Sequence, residues 1–261
     1  MFTKGSSRKK NMKILLISDL HANIDALNAV WEREKNADVV LCAGDIVDWG
    51  WNPHEVIAWL KERDAICICG NHDVETLKLY DSGVREELGK ETTYASHCVN
   101  QLTDEDVAFL RALPEMRVLD FDGVRYCMKH SLVMHERKSN VQILLGEYRA
   151  LPAFREKWNE LVTPEQDADA KVRCMILGHS HISYLLRAMG EEYYLNPGST
   201  HYRKGPDSVA KGADYVVIRD GIPSFHHVDY PTAHLRERIK ASNFPINIQT
   251  PALVYAGSHV D

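Results

Sequence analysis

Residues 13–21 read KILLISDLH, an apolar run without helical periodicity that ends in Asp19 and His21. Such a run describes a fully buried strand of a parallel sheet, and a polar pair just past its C-terminal end falls where open α/β sheets bind their ligands. The same form returns at VVLCAGD (39–45), AICICGNHD (65–73), VRYCMKH (124–130) and CMILGHSH (174–181), each run closing on Asp, Asn or His. Seven side chains, Asp19, His21, Asp45, Asn71, His130, His179 and His181, are therefore expected along one rim of one sheet. With water added, that set matches what two divalent cations require and points to a two-metal hydrolase.

Working outward from the first strand, Asn23 is placed to cap a helix running to about Lys35, and Pro53 suits the first turn of a helix carrying Val56, Ile57 and Leu60. A third strand is expected at 65–69, with Gly70-Asn71-His72-Asp73 as the loop after it. Helical character follows from 75 to 114, clearest in LTDEDVAFLRALP, where Thr103 is the N-cap and Asp106 stands three residues on. Asp122-Gly123 and Asp220-Gly221 mark hairpins, joining strands near 116–121 and 124–129 and strands at 214–219 and 222–229. Two short strands are expected around Gly190, and a last helix runs from Thr232 to about Lys240. Parallel strands early and hairpins late imply an α/β (α+β) chain with two packed mixed β-sheets flanked by helices.

The domain is bounded as 13–245, with residues 1–12 a disordered leader in which Met12 is an alternative start, and 246–261 a surface tail. About forty residues separate His130 from the strand near 172, more than a connection needs. Leu151, Phe154, Trp158 and Leu161 recur there at helical spacing, so a helical insertion is expected at about 131–170.

Composition bounds the partners. A length of 261 residues, 44% hydrophobic and 26% charged, suits one large globular domain. The net charge of −6 argues against a stable nucleic-acid complex and leaves a small phosphorylated substrate compatible. Nothing approaches the ~20 apolar residues of a membrane span. The six cysteines are scattered without disulfide or zinc-finger spacing, and Cys67 and Cys69, two apart on a presumed strand, are read as core residues on one face. The expected compartment is the cytosol. Oligomeric state is open.

Chemistry narrows the seven. Asp19 and His21 on one loop can chelate one ion together, and His179 and His181 repeat that spacing. Asp45, alone after its strand, can use both oxygens and is the natural bridge between ions roughly 3.5–4 Å apart. Mixed His, Asp and Asn ligands suit Mn, Fe, Zn, Co or Ni, with Mn²⁺ the expected ion.

The ordered motifs Asp19-x-His21, Gly44-Asp45, Gly70-Asn71-His72-Asp73, His130 and Gly178-His179-x-His181 resemble the calcineurin-like metallophosphoesterase superfamily. The strings SDLHAN, GDIVDWGWNP, GNHD, GHSH and NPGST are similar to its bacterial and archaeal phosphodiesterase branch, over roughly residues 13–245. The resemblance implies a four-layer αββα sandwich. It implies one metal held by Asp19, His21, Asp45 and His181, and the other by Asp45, Asn71, His130 and His179. It gives His72 the place facing the scissile phosphate, with Asp48 orienting it, and it implies in-line attack on phosphorus by a hydroxide bridging the two ions. Ser131 stands where the family commonly has Gly, and Trp49 where the protein phosphatase branch has Arg. The expected activity is hydrolysis of a small phosphodiester or nucleotide-derived substrate. A phosphomonoesterase, a dinucleoside-polyphosphate hydrolase and a non-catalytic interaction scaffold of the retromer-subunit kind are the alternatives.

Trp49 and Trp51 flank the site in sequence, and packing under the loop is the preferred reading over stacking on a nucleobase. His135, Arg137, Lys138, Arg203 and Lys204 are weaker candidates for phosphate contact, and Ser199 and Thr200 either line the site or seat a strand edge. His226 and His227 sit in a late strand, where alternation is expected to send one inward and one outward.

Overall fold

The computed structural model describes residues 12–83, 94–131, 173–187, 192–201 and 212–241. The leader, the insertion beyond Ser131 with His135, Arg137, Lys138 and its expected helix, Arg203, Lys204 and the tail lie outside the described residues.

Strand β1 (Lys13–Ile17) is buried along its whole length, so both of its faces need cover. Two five-stranded sheets and a layer of helices provide it. In the first sheet β1 pairs in parallel with β2 (Val39–Cys42), which pairs in parallel with β3 (Ile66–Cys67). On its other side β1 runs antiparallel to β9 (Ala213–Arg219), and β10 (Ile222–Val228) closes the edge. The second sheet has the order β4 (Met116–Phe121), β5 (Val124–Lys129), β6 (Cys174–Ile176), β8 (Tyr193–Pro197), β7 (Ser183–Arg187), with β5, β6 and β8 parallel and the outer strands antiparallel. Both hairpin turns take left-handed backbone, φ +48° and +79° at Asp122-Gly123 and +51° and +74° at Asp220-Gly221.

Alternation along β1 sorts its residues between two cores. Ile14 and Leu16 meet Tyr126, Met128, Cys174 and Ile176 of the second sheet, and Leu15 and Ile17 face the helices. Helix α1 (Ile24–Glu34) lays Ala26, Leu27 and Val30 on that outer face, α2 (Pro53–Glu62) adds Val56, Ile57 and Leu60, α4 (Tyr94–Val99) adds Cys98, and α5 (Asp104–Arg111) adds Leu110. Each Val, Leu and Ile among them contributes ~1.5–3 kcal/mol on full burial. Two packed mixed sheets with flanking helices make the α/β sandwich that the sequence implies. The outer face of the second sheet carries Cys127, Met175, Leu177 and Tyr194. A final helix, α6, spans Ala233–Ala241.

Three local expectations need correction. The third strand stops at Cys67, and helix α3 (Asn71–Asp81) starts directly at Asn71 with Gly70 as its N-cap, so Asn71, His72 and Asp73 form a helical first turn instead of a loop. Cys69 therefore lies beyond the strand, and the argument that it shares a face with Cys67 does not apply, although both are buried. His226 and His227 are both exposed on the edge strand β10; His226 stacks on Tyr215 and His227 bonds Asp214 at 2.7 Å.

Candidate metal centre

The seven side chains do not sit on one sheet. Asp19, Asp45 and Asn71 follow β1, β2 and β3 of the first sheet, whereas His130, His179 and His181 follow β5 and β6 of the second. Parallel pairing within each sheet brings those strand ends to one edge, and packing of the two sheets brings the two edges together.

The loops that carry these side chains are held in unusual backbone. Asp19, His21, Ala22, Asp45, Asp48, Trp49, His179 and His181 all have positive φ, between +44° and +70°. Such residues persist only where their surroundings over-determine them, and they concentrate at functional sites. Here hydrogen bonds do so: Asp19 and Leu20 donate to the carbonyls of Gly44 and Asp45 at 3.0 and 2.8 Å, and Ala22 donates to Ile46 at 2.9 Å. The buried carboxylate of Asp73 accepts from the backbone N–H groups of Ile46, Val47 and Gly70 at 2.8–3.0 Å, tying the Asp45 loop to the start of α3. Burial, with the charge of Asp45 beside it, pushes the Asp73 carboxyl up to about 7. A Cβ on Gly70 would strike Asp45, so only glycine allows these two segments to approach.

Two groups of atoms result. Asp19, His21, Asp45 and His181 bring one ligand atom each within 4.8 Å of one another, and so do Asp45, His130 and His179. In the first, His181 Nε2 lies 3.1 Å from both His21 Nε2 and Asp19 Oδ1. In the second, His130 Nε2 lies 3.1 Å from Asp45 Oδ2, and Asn71 Oδ1 is 2.7 Å from His179 Nδ1. His179 and His181 thus divide between the groups, His181 with Asp19 and His21 and His179 with His130. Asp45 also departs from expectation. Its Oδ1 accepts the backbone N–H of His72 at 2.9 Å, which leaves Oδ2 alone to face both His130 and His21, the latter at 3.9 Å.

The donor set fits cations. Asp45 Oδ2 is buried and accepts no hydrogen bond among the described residues. His130 Nδ1 faces the carbonyl of Ala43 at 2.7 Å, and since a carbonyl only accepts, that nitrogen carries the proton and Nε2 is left as a lone pair. Two acceptors, Nε2 and Oδ2, then face each other until a proton or a metal ion stands between them. Without an ion, burial disfavours charge on His130 but the Asp45 carboxylate outweighs it and raises the imidazole to about 9. Burial and the neighbouring His72 and His181 keep His21 well below its ordinary value, hence neutral and able to ligate. For Asp45, burial is outweighed by the surrounding imidazoles, led by His130, which hold the carboxyl well below the ordinary range.

His72 sits beside these groups without joining either. Its Nδ1 is 2.7 Å from Asp48 Oδ2, and its ring stands edge-on to His21 at 4.9 Å. Burial disfavours its charge, yet the hydrogen bond to Asp48 and the charge of Asp45 raise it to about 9, so it holds a proton at neutral pH. Asp48 also caps its own loop, Oδ1 accepting from Trp49 N–H at 2.7 Å. Trp49 is neither simple loop packing nor an open platform: its ring stacks on His21 at 4.8 Å and 19° and meets His72 at 4.7 Å. Trp51 is buried against His97.

The NPGST string turns out to serve the loops. Asn196 Nδ2 donates to Gly178 O at 2.7 Å and Ser180 Oγ at 3.0 Å, and Ser199 Oγ donates to the carbonyl of Asp19 at 2.9 Å. Sequence reasoning passed over His201, the next residue but one. It is buried, with its ring 5.7 Å from that of His21. The signal available was its place directly after Ser199 and Thr200.

Residues 12–214 match the model of the calcineurin-like phosphoesterase superfamily domain. An uncharacterized protein of Methanocaldococcus jannaschii is 26% identical over 255 residues, covering 89% of this chain and 93% of that protein. Among solved structures, a metallophosphoesterase from Sphaerobacter thermophilus superposes with a TM-score of 0.67 at 22% identity, covering 95% of this chain and 100% of the other. A hypothetical protein from Pyrococcus horikoshii gives 0.71 at 16% identity with the same coverage. At such identities the likeness of these two structures is one of fold. Among the described residues no helix is long and apolar enough to cross a membrane.

Proposed function

Because the chain belongs to the calcineurin-like phosphoesterase superfamily, we propose that it is a binuclear metal-dependent phosphodiesterase acting on a small phosphodiester or nucleotide-derived substrate, with Mn²⁺ as its resident ion. The observation that carries the binuclear reading is the single buried oxygen, Asp45 Oδ2, standing between two groups of ligand atoms. Asp19, His21, Asp45 and His181 would hold one ion, and Asp45, Asn71, His130 and His179 the other. Ions bound there supply Lewis-acid polarisation of phosphoryl oxygens and lower the pKa of the water they share from 15.7 toward ~7.

The chain's own residues do the rest. Asp45 keeps one oxygen on the His72 backbone and would have the other for the ions, so one carboxylate would tie the first turn of α3 to the metal sites. His72, oriented by Asp48, would stabilise charge on the phosphoryl group and, in its protonated form, give its proton to the leaving alkoxide. A diester then becomes a monoester and an alcohol. Trp49 packs against both rings, His21 and His72, which also meet each other edge-on. A cytosolic setting fits six free, buried cysteines.

The test is metal-free protein reconstituted in parallel with Mn²⁺, Fe²⁺, Zn²⁺, Co²⁺ and Ni²⁺ and assayed on bis-p-nitrophenyl and mono-p-nitrophenyl phosphate. Faster turnover of the diester, greatest with Mn²⁺, is expected. Preference for the monoester would overturn the diesterase assignment. Two bound ions with no hydrolysis of either would favour a scaffold.

A further inference from the structure

The side chain of Asn23 has two duties. As N-cap of α1 its Oδ1 accepts the backbone N–H of Ala26 at 3.1 Å. That settles which end of the amide is oxygen, so Nδ2 must be the end that lies 2.7 Å from Tyr230 Oη and 3.3 Å from His201 Nδ1. An amide nitrogen only donates. His201 Nδ1 is consequently the accepting nitrogen, and its proton resides on Nε2. Tyr230 Oη in turn lies 3.5 Å from the His201 carbonyl.

The backbone of the same segment grips the first metal loop. His201 N–H donates to Ser199 Oγ at 3.0 Å, Ser199 Oγ donates to Asp19 O, and Thr200 N–H donates to Ser18 O at 3.2 Å. One side of the Asp19–Ala22 loop is thus held by the Asp45 strand end, and the other by residues 199–201. The His201 ring, inclined 62° to His21 at 5.7 Å, is the side-chain part of that second grip. Three residues of the loop need such support, Asp19 at φ +52°, His21 at +44° and Ala22 at +52°, because each left-handed residue costs of order 1–3 kcal/mol unless contacts hold it.

We propose that His201 is a positioning residue for the ion bound by Asp19, His21, Asp45 and His181: set as the Nε2–H tautomer by Asn23, whose amide Tyr230 holds in place, it braces the Asp19–His21 loop and the His21 ring against that ion. This rests on the binuclear reading above. It makes Tyr230, beyond the last strand of the first sheet, a determinant of one metal site and not of the other. Burial and the charge of His181 push the His201 imidazole down to about 3, consistent with a ring that stays neutral.

The experiment uses the full chain. Nitrogen-15 imidazole spectra of the metal-free protein should show His201 with Nδ1 unprotonated and Nε2 protonated. Calorimetric titration with Mn²⁺ should then show two ions in the unaltered protein. His201→Ala and Tyr230→Phe should weaken one of them about 10-fold or more, the loss expected for an outer partner of a ligand. Reference variants His181→Ala and His179→Ala identify which ion is affected; it should be the one that His181→Ala removes. Tyr230→Phe, a one-atom change, guards against a folding defect in His201→Ala, and both should melt within a few degrees of the unaltered metal-free protein. A proton on His201 Nδ1, unchanged affinities in both variants, or equal weakening of both ions would each overturn the inference. Uptake of fewer than two ions by the unaltered protein would overturn the binuclear reading itself, and with it the ion that His201 is to position.

Discussion

A carboxylate has two oxygens, and Asp45 uses them for different purposes. Oδ1 is committed to the His72 backbone, and Oδ2 is the oxygen near His21 and His130. Asparagine at this position would keep an oxygen for the His72 N–H and turn its NH₂ toward the imidazoles, presenting protons where cations are expected. Asp45→Asn should therefore lose ions by more than the roughly 100-fold that removal of an outer partner costs, read as metal content after gel filtration, with turnover falling in step. His72→Gln separates binding from chemistry: it should retain both ions and lose about 10²–10⁴-fold in turnover of bis-p-nitrophenyl phosphate. Wild-type turnover in either variant would remove that residue from its assigned role. Sequence order alone placed both residues near the site, but it could not say that one oxygen of Asp45 was already taken.

Helix ends decide much of the site at the next scale. Helix α3 begins on Asn71 because Asp73 reaches back to the Gly70 N–H, and this one-sided cap was present in GNHD although the segment reads equally well as a loop. The cap of α5 was legible because Thr103 and Asp106 precede a clear apolar stripe. In the structure Thr103 Oγ1 accepts Asp106 N–H at 3.2 Å and Asp106 Oδ2 accepts Thr103 N–H at 2.9 Å. Burial opposes the Asp106 charge, but the Thr103 backbone and His54 outweigh it and lower the carboxyl below its ordinary 3.8. A group lowered on folding contributes stability above its unfolded value and loses it as pH falls through the folded one. Asp106→Ala should cost about 1 kcal/mol in urea unfolding at pH 7, and the gap from the unaltered protein should close as the pH falls below 3.8. A gap that stays constant into acid would show that the carboxylate's charge is not what holds this helix end.

At the scale of the molecule, the candidate ligands lie on two sheets that meet through an apolar core, with hydrogen bonds at its edge such as that from His130 Nδ1 to the Ala43 carbonyl. Ile14, Leu16 and Leu41 of one face Tyr126, Met128 and Ile176 of the other, with no polar register between them in that cluster. Ions held by Asp19, His21, Asp45 and Asn71 on one side and by His130, His179 and His181 on the other would join the sheets at one edge. A ligand at 100 times its dissociation constant adds about 2.7 kcal/mol to the folded state, which for a chain of this size is a rise of about 5–10 °C in melting temperature. Scanning the ion-loaded protein with and without a chelator checks this. An unchanged melting temperature after proven removal of the ions would mean that they do not bridge the sheets.

What the sequence determined by itself was whatever depends on near neighbours: buried strands from unbroken apolar runs, helix caps from Asn23, Thr103 and Asp106, hairpins from two Asp-Gly pairs, and the polar residue that ends each strand. Backbone sterics and local hydrogen bonds act over a few residues, so a few residues suffice to read them. Tertiary structure alone decided that the seven side chains come from two sheets, that Trp49 stacks on His21, and that His201 meets Asn23 and Tyr230. Those outcomes turn on contacts between residues as far apart as 178 and 207 positions, made when two sheets pack face to face, and no local pattern carries the distance across that interface.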